Sequence, residues 1–194
     1  MSPGAPTRER LRSLLRTLSL IRGDITLASG AQSGVYIDSK QTSLHPEGAA
    51  ALGALLLDAV LAIEARTGRR AVGVGGMSIG ADPLATAVSL TAWARGRALP
   101  AFLVRKTPKG HGTEAYLEGM ANLPAGSPVV LLEDVVTTGG STLSAAKRAR
   151  AEGLDPFGVA CIVDRQVGGV AALAADGLDV EALFALDELA DDTP

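Results

Sequence analysis

VVLLEDVVTTGGS, at residues 129–141, is the stretch that decides the fold. It opens with four apolar residues, which predict a strand buried on both faces, and it continues into two acidic residues, Glu133 and Asp134. A turn of threonine, glycine and serine follows, and residues 142–152 then have a helical pattern. A strand–turn–helix unit of this kind presents backbone N–H groups at a helix N-terminus, where an anion can bind.

The alternation of strand and helix extends on both sides of this stretch. Short apolar runs at 71–75, 101–104, 157–163 and 180–186 alternate with helical patterns at 46–66 and 83–94. Runs that are apolar on both faces predict a parallel sheet covered on both sides. We therefore expect a doubly wound α/β fold, with a mainly parallel sheet flanked by helices.

Polar residues follow three of the predicted strands. These are the pairs Arg105-Lys106, Glu133-Asp134 and Asp164-Arg165. In doubly wound sheets, ligands bind in the crevice beyond the carboxyl ends of the strands. We therefore expect all three pairs to open onto one crevice.

The N-terminal part of the chain has a different pattern. Leucines at helical spacing predict a helix over 7–21, ended by Gly23, and the following residues to about 40 are punctuated by glycine and serine. We expect this part to form a small cap or hood over the crevice. Residues 1–194 are expected to fold as a single domain, since the length suits one.

Composition limits the classes of partner. A net charge of −3 gives no general attraction for nucleic acid or an anionic membrane, so no partner of either kind is expected. The most apolar stretch, 49–62, contains Asp58 and is expected to be too short to span a bilayer. The single cysteine, Cys161, allows no internal disulfide, which suits a reducing cytoplasm.

The turn at 137–141 has the chemistry of a site for a ribose 5-phosphate. Glycines allow the backbone to approach a phosphate closely, and the hydroxyls of Thr137, Thr138 and Ser141 add donors. The two carboxylates before the turn are acceptors suited to ribose hydroxyls. The alternative is an ordinary helix capped by Ser141 or Thr142, which explains the hydroxyls but not the adjacent acids.

Residues 105–113, RKTPKGHGT, form a basic segment in an acidic chain. Proline and glycine exclude a helix interior there. Three cations and a histidine suit a pyrophosphate leaving group, on which charge builds up in the transition state. A solvated charged loop is the alternative from these residues alone.

The stretch at 129–141 resembles the phosphoribosyl pyrophosphate (PRPP) motif of type I phosphoribosyltransferases, and the basic segment resembles the catalytic loop of orotate phosphoribosyltransferases. The resemblance implies the type I phosphoribosyltransferase fold. It assigns catalysis to Arg105, Lys106, Lys109 and His111. PRPP binding would involve these four together with Glu133, Asp134, Val135, Val136, Thr137, Thr138, Gly139, Gly140 and Ser141.

Residues 26–38 resemble the orotate-side segment of the same family, in which Tyr36 and Ile37 match positions that line the base. The resemblance also maps Thr137 and Arg165 to orotate. A guanidinium can hold the orotate carboxylate with two parallel hydrogen bonds. The chain departs from relatives at Ala28, where many carry a PRPP-contacting lysine. It departs again in the turn at 75–80, where Ser78 and Ile79 match PRPP-contacting positions that often include a lysine.

The implied reaction is transfer of the phosphoribosyl group from PRPP to orotate, giving orotidine 5′-monophosphate and pyrophosphate in pyrimidine biosynthesis. It implies Mg²⁺ held mainly through PRPP and water, without a dedicated set of protein ligands. It also implies a homodimer whose catalytic loop reaches the neighbouring site. Two alternatives stay open: a phosphoribosyltransferase for another base, and a PRPP-binding regulator without catalytic activity.

Overall fold

A computed structural model describes residues 7–26, 32–108 and 116–191. Its central sheet has six strands in the order β5-β4-β3-β6-β7-β8, and all neighbouring pairs are parallel except β4 and β5. The strands are β3 (Gly73–Met77), β4 (Ala101–Val104), β5 (Leu117–Glu118), β6 (Pro128–Val136), β7 (Asp155–Asp164) and β8 (Asp179–Ala185). The expectation of a mainly parallel sheet is confirmed.

Helices cover both faces of this sheet. One face packs against α3 (Pro46–Thr67) and α4 (Ala81–Ala94), and the other packs against α5 (Gly140–Ala151) and α6 (Gly169–Ala175). A hydrophobic core lies on each face of the sheet, and strand β6 contributes side chains to both. Val130 and Leu132 face the α3 side, whereas Val129 and Leu131 face the α5 side. The doubly wound architecture follows from these runs, which are apolar on alternating faces.

Helix α3 is the longest element, at 22 residues, and it is long and apolar enough to cross a membrane by length and composition alone. This corrects the expectation that the apolar segment is too short. The helix is nevertheless a core element of the fold, because Leu52, Leu56, Val60 and Ile63 are fully buried against the sheet and α4. His45 is at the N-cap position without a side-chain capping hydrogen bond, and the helix starts at Pro46, where the predicted helical pattern also starts.

The N-terminal helix is shorter than predicted. It comprises α1 (Arg8–Leu14) and a π-helical turn (Leu15–Ser19), and the chain then enters β1 (Leu20–Thr26). Gly23 therefore lies inside a strand and does not end the helix. The strand β1 pairs antiparallel with β2 (Gln32–Ile37), and the two form a small separate sheet. Two short helices complete the fold, α2 (Lys40–Ser43) and α7 (Leu186–Ala190), with a 3₁₀ turn at Met120–Asn122.

The strand order reverses direction at β3. The chain goes from β3 to β4 on one side, and after β5 it returns to place β6 on the other side of β3. A crevice forms at such a switch point, beyond the carboxyl ends of the strands. The ends of β3 and β6 therefore define where the ligand chemistry should lie.

Candidate active site

The turn that joins β6 to α5, Thr137–Gly139, together with the first residues of α5, forms what we call the phosphate loop (residues 137–141). Helix α5 has Gly139 as its N-cap, with φ at +81°, a backbone conformation that glycine adopts without a steric penalty. The loop and its neighbours from Val135 to Thr142 line a cavity of about 140 Å³. It lies at a helix N-terminus, where unpaired N–H groups and the helix dipole favour an anion.

The two acids of the motif lie in different environments. They are consecutive residues of β6, so their side chains lie on opposite faces of the sheet. Glu133 is only 5% exposed, and its Oε2 accepts a hydrogen bond of 2.8 Å from Thr142 Oγ1. Burial, and then the neighbouring Asp134, raise the pKa of Glu133 to about 8. Thr142 thus binds the acid and does not cap the helix.

Asp134 is half-buried and faces the switch point. Its Oδ2 accepts a 2.6 Å hydrogen bond from Ser39 Oγ, and its Oδ1 accepts a 2.9 Å bond from the Val135 N–H. Gly80 lies on another side of the carboxylate, since a Cβ there would come within 2.7 Å of Asp134 Oδ1. Three segments that are distant in sequence therefore meet at one carboxylate.

The turn after β3, at Ser78–Gly80, brings mainly backbone to this place. Ile79 is 69% exposed, and the Ser78 hydroxyl donates to Asp82 Oδ1 at 2.9 Å. The peptide between Ser78 and Ile79 is cis. The turn therefore offers a close backbone approach to Asp134 at Gly80, where a side chain would collide with the carboxylate.

Sequence reasoning missed Ser39 and Lys40, which follow β2. Ser39 is 1% exposed and binds Asp134 directly, and Lys40 Nζ lies 3.1 Å from Asp38 Oδ1. The hydrogen bond with Asp38 raises the pKa of Lys40, with smaller contributions from Asp134 and Tyr36. The available signal was the polar triplet at 38–40, at the end of the stretch punctuated by glycine and serine, and nothing in it pointed to an acid 95 residues away.

The residues expected on the orotate side are partly described. Tyr36 is 38% exposed and Ile37 is 8% exposed, at the end of β2. Arg165 follows β7, and its backbone N–H donates to the Val136 carbonyl at 2.9 Å, which places it beside the start of the phosphate loop. Asp164 Oδ1 accepts from the Gln166 N–H at 2.9 Å. Ala28 lies outside the described residues.

The basic segment is described at its start only. Arg105 follows β4, and its Nη1 lies 3.1 Å from Glu118 Oε1 on β5, while Lys106 is exposed. The Arg105 N–H donates to the Tyr116 carbonyl at 2.8 Å. Lys109 and His111 lie outside the described residues. Strands β4, β6 and β7 run in the same direction, and Arg105, Asp134 and Arg165 lie at or just beyond their C-terminal ends, so these residues lie at the same edge of the sheet.

A hard divalent cation would find oxygen donors at this edge. Asp134 provides carboxylate oxygens in the crevice, next to the Ser39 hydroxyl. Within residues 7–26, 32–108 and 116–191, no group of three or more His, Cys, Asp or Glu side chains could hold a metal ion. The oxygen donors of the crevice, at Asp134 and Ser39, fit the preference of such a cation for oxygen.

Several curated relatives that match about nine tenths or more of the chain are named orotate phosphoribosyltransferase. The chain is 45% identical over 191 residues to an orotate phosphoribosyltransferase of Sorangium cellulosum. The match covers 98% of this chain and 97% of that relative. No protein-family model matches it.

Solved structures give the same result. The orotate phosphoribosyltransferase of Mycobacterium tuberculosis H37Rv in complex with Fe(III) dicitrate is 36% identical, with a TM-score of 0.79, and the match covers 94% of this chain and 98% of that one. The same enzyme in complex with PRPP is 33% identical, with a TM-score of 0.75, and the match covers 95% and 99% of the two chains.

Proposed function

The chain belongs to the orotate phosphoribosyltransferase family, and we propose that the crevice at the ends of β3, β6 and β7 is its active site. The enzyme transfers the 5-phosphoribosyl group of PRPP to orotate, giving orotidine 5′-monophosphate and pyrophosphate. The observation that supports this location is the meeting of Ser39, Gly80 and Asp134 beside the phosphate loop.

PRPP would lie along the end of β6. The phosphate loop takes the 5′-phosphate through its backbone N–H groups and hydroxyls, which are Thr137, Thr138 and Ser141 with Gly139 and Gly140. Asp134 accepts from a ribose hydroxyl, because it is the acid that faces the crevice. Glu133, on the opposite face of β6 and buried against Thr142, is not expected to reach the ribose in this arrangement, and Val135 and Val136 bring the chain from these acids to the loop.

Orotate would lie between the end of β2 and the end of β7. Arg165 holds its carboxylate, the Thr137 hydroxyl donates to the base, and Tyr36 and Ile37 line the ring. A guanidinium and a carboxylate form two parallel charge-assisted hydrogen bonds, which uracil and purines cannot form. Arg165 is therefore proposed to select orotate among the bases.

The reaction breaks the bond from the anomeric carbon to the pyrophosphate oxygen and forms a bond from that carbon to the orotate ring nitrogen, which loses its proton to water. The electron pair of the broken bond leaves with pyrophosphate. Positive charge builds up on the ribose ring, and the Asp134 carboxylate favours it electrostatically. Arg105, Lys106, Lys109 and His111 offset the charge on pyrophosphate, and Lys109 or His111 donates a proton to it.

Mg²⁺ would be held mainly by PRPP oxygens and water, and Asp134 is the crevice carboxylate that would be available to it. When bound, the ion supplies positive charge to the pyrophosphate. We also propose a cytoplasmic homodimer in which the basic segment of one subunit reaches the crevice of its partner.

The test is product formation from PRPP with orotate, uracil or adenine as the base, each with and without Mg²⁺. We expect orotidine 5′-monophosphate from orotate alone, and its loss when Mg²⁺ is chelated. Conversion of uracil or adenine while orotate stays unreacted would assign the crevice to another base. Failure of every base, by folded protein that still binds PRPP, would favour a regulator.

A further inference from the structure

The C-terminal turn of α5 contacts both flanks of the basic segment. Arg148 Nη1 donates to the Arg105 carbonyl at 2.6 Å, and its guanidinium lies 4.4 Å from the centre of the Tyr116 ring. Glu152 Oε1 accepts from the N–H groups of Tyr116 and Leu117, at 2.6 and 3.2 Å. Two charged side chains, one helical turn apart, therefore hold the chain where it leaves β4 and where it enters β5.

These contacts are of a kind that fixes a backbone in place. Each charged group binds neutral backbone atoms, and charge-assisted hydrogen bonds are short and about twice as strong as neutral ones. The planar guanidinium of Arg148 adds a cation–π contact with Tyr116. The direct bond from the Arg105 N–H to the Tyr116 carbonyl then ties the two flanks to each other.

Helix α5 is a rigid support for these contacts. Its residues Ala145, Ala146 and Ala149 are at most 1% exposed, so small side chains seat the helix closely on the sheet. Thr142 joins its first turn to Glu133. Arg148 also lies 3.6 Å from the Met77 sulfur, at the end of β3, just before the Ser78–Gly80 turn.

We propose that Arg148 and Glu152 are positioning residues for pyrophosphate. They hold the backbone of Arg105, and of Lys106 next to it, so that these two cations can bind the leaving group. This inference rests on the proposed function and goes beyond it, because neither residue belongs to the motifs that identify the family. It holds whether the cations act on the crevice of their own subunit or on that of the partner. Misplacement of a charged group by about 1 Å can reduce a rate about a hundredfold.

The reverse reaction, from orotidine 5′-monophosphate and pyrophosphate, separates this role from general damage. In Arg148→Met, which keeps an unbranched apolar stem and removes the guanidinium, we expect the KM for pyrophosphate to rise about tenfold, with the KM for orotidine 5′-monophosphate within about twofold of wild type. Glu152→Gln keeps the shape and weakens the two acceptor contacts, so it should shift the same constant in the same direction. Arg148→Lys should recover part of the loss, because an ammonium can still donate to the Arg105 carbonyl.

Arg150→Met is the matched control. Arg150 lies on the same helix, is exposed, and pairs with Asp176 at 2.6 Å, away from the basic segment. It should leave both constants near wild type. Thermal melting of each variant identifies loss of folding, and Glu152→Gln, whose side chain keeps its size, still tests the role if Arg148→Met does not fold.

An unchanged pyrophosphate KM in the folded variants would overturn the inference, and so would an equal rise of both KM values. Absence of the reverse reaction in the wild-type protein is a different outcome, since it contradicts the proposed function before any variant is compared.

Discussion

Glu133 and Asp134 are adjacent in sequence and have opposite environments. The pleat of β6 places Glu133 against α5 with Thr142, and it places Asp134 in the crevice with Ser39. The sequence alone presents them as an equivalent pair. The apolar run that predicted β6 ends at Leu132, but the strand continues for four more residues to Val136. Both acids therefore lie within the strand, and its pleat gives them different surroundings.

The buried acid should make stability depend on pH. The pKa of Glu133 in the folded protein, about 8, lies above the ordinary value of 4.5, so the folded state holds one proton more than the unfolded state between these values. The contribution of Glu133 to the free energy of unfolding is full below about pH 4.5 and is lost as the pH rises through about 8. The free energy of unfolding changes by at most about 1.4 kcal/mol per pH unit from this group.

Urea denaturation of the ligand-free protein from pH 5 to pH 8 checks this. The free energy of unfolding of wild type should fall relative to that of Glu133→Gln as the pH rises, whereas Glu9→Gln, at an exposed position, should stay parallel to wild type. Parallel curves for wild type and Glu133→Gln would contradict the buried, proton-holding acid.

Ser39 should matter through Asp134. Ser39→Ala removes the 2.6 Å hydrogen bond to Asp134 Oδ2, so the carboxylate loses a fixed orientation. We expect the KM for PRPP to rise about tenfold, the scale of one hydrogen bond to a charged group. Ser43→Ala, at a similarly buried serine in α2, is the control. If both variants shift the PRPP KM equally, Ser39 has no specific role.

At the scale of elements, apolar runs predicted the strands of the sheet with small errors. The run at 101–104 coincides with β4, and that at 157–163 lies inside β7. Such runs are informative because a strand buried on both faces leaves no polar position. The misses have physical reasons as well. Strand β5 has two residues, too few for a pattern, and the leucines at 11–18 continue through a π-helical turn that periodicity does not distinguish from a helix.

A charged network joins three elements in a way that no local pattern indicates. Arg97, after α4, binds both oxygens of Glu64 on α3 at 2.6 and 3.0 Å and the Ala71 carbonyl at 2.6 Å. Glu64 Oε1 also accepts from the Ala71 N–H at 2.6 Å. The Arg97 and Glu64 side chains are 16% and 13% exposed, so screening by water is weak.

Arg97→Ala should therefore lower the free energy of unfolding by about 2–4 kcal/mol, because it leaves Glu64 charged and partly buried. Arg95→Ala, which breaks an exposed pair with Asp58, should cost less than about 1 kcal/mol. Chemical denaturation of both variants measures the difference. Equal losses would show that the Arg97 network contributes no more than a surface pair.

At the scale of the whole molecule, the sequence predicted that polar residues at three strand ends open onto one crevice, but not which other segments meet them there. Residues 133–141, Arg165 and Arg105 were predicted from motifs at or just after recognisable strands, and their roles stay predictions. The contact of Ser39 and Gly80 with Asp134 depends on the switch point at β3, which is a property of strand order. Arg148 and Glu152 were missed because a helical pattern does not show which side chains meet a distant loop.

The proposed sharing of the basic segment between subunits can be tested by mixing two inactive variants. Lys109→Ala removes a cation of the segment, and Asp134→Asn removes the crevice acid. If each segment reaches the partner's crevice, half of randomly mixed dimers contain one intact site of two, and about a quarter of wild-type activity should return. Activity no higher than that of the unmixed variants would contradict a shared site.

The central claim is that Arg165 and the phosphate loop bind different substrates in one crevice. Its most direct test is to measure the KM for orotate and the KM for PRPP of the Arg165→Ala variant. The KM for orotate should rise about a hundredfold, and the KM for PRPP should stay within about twofold of wild type. Arg165→Lys should recover only part of the loss, because an ammonium lacks the planar fork. An unchanged orotate KM, or an equal rise of both constants, would contradict the division of the crevice proposed here.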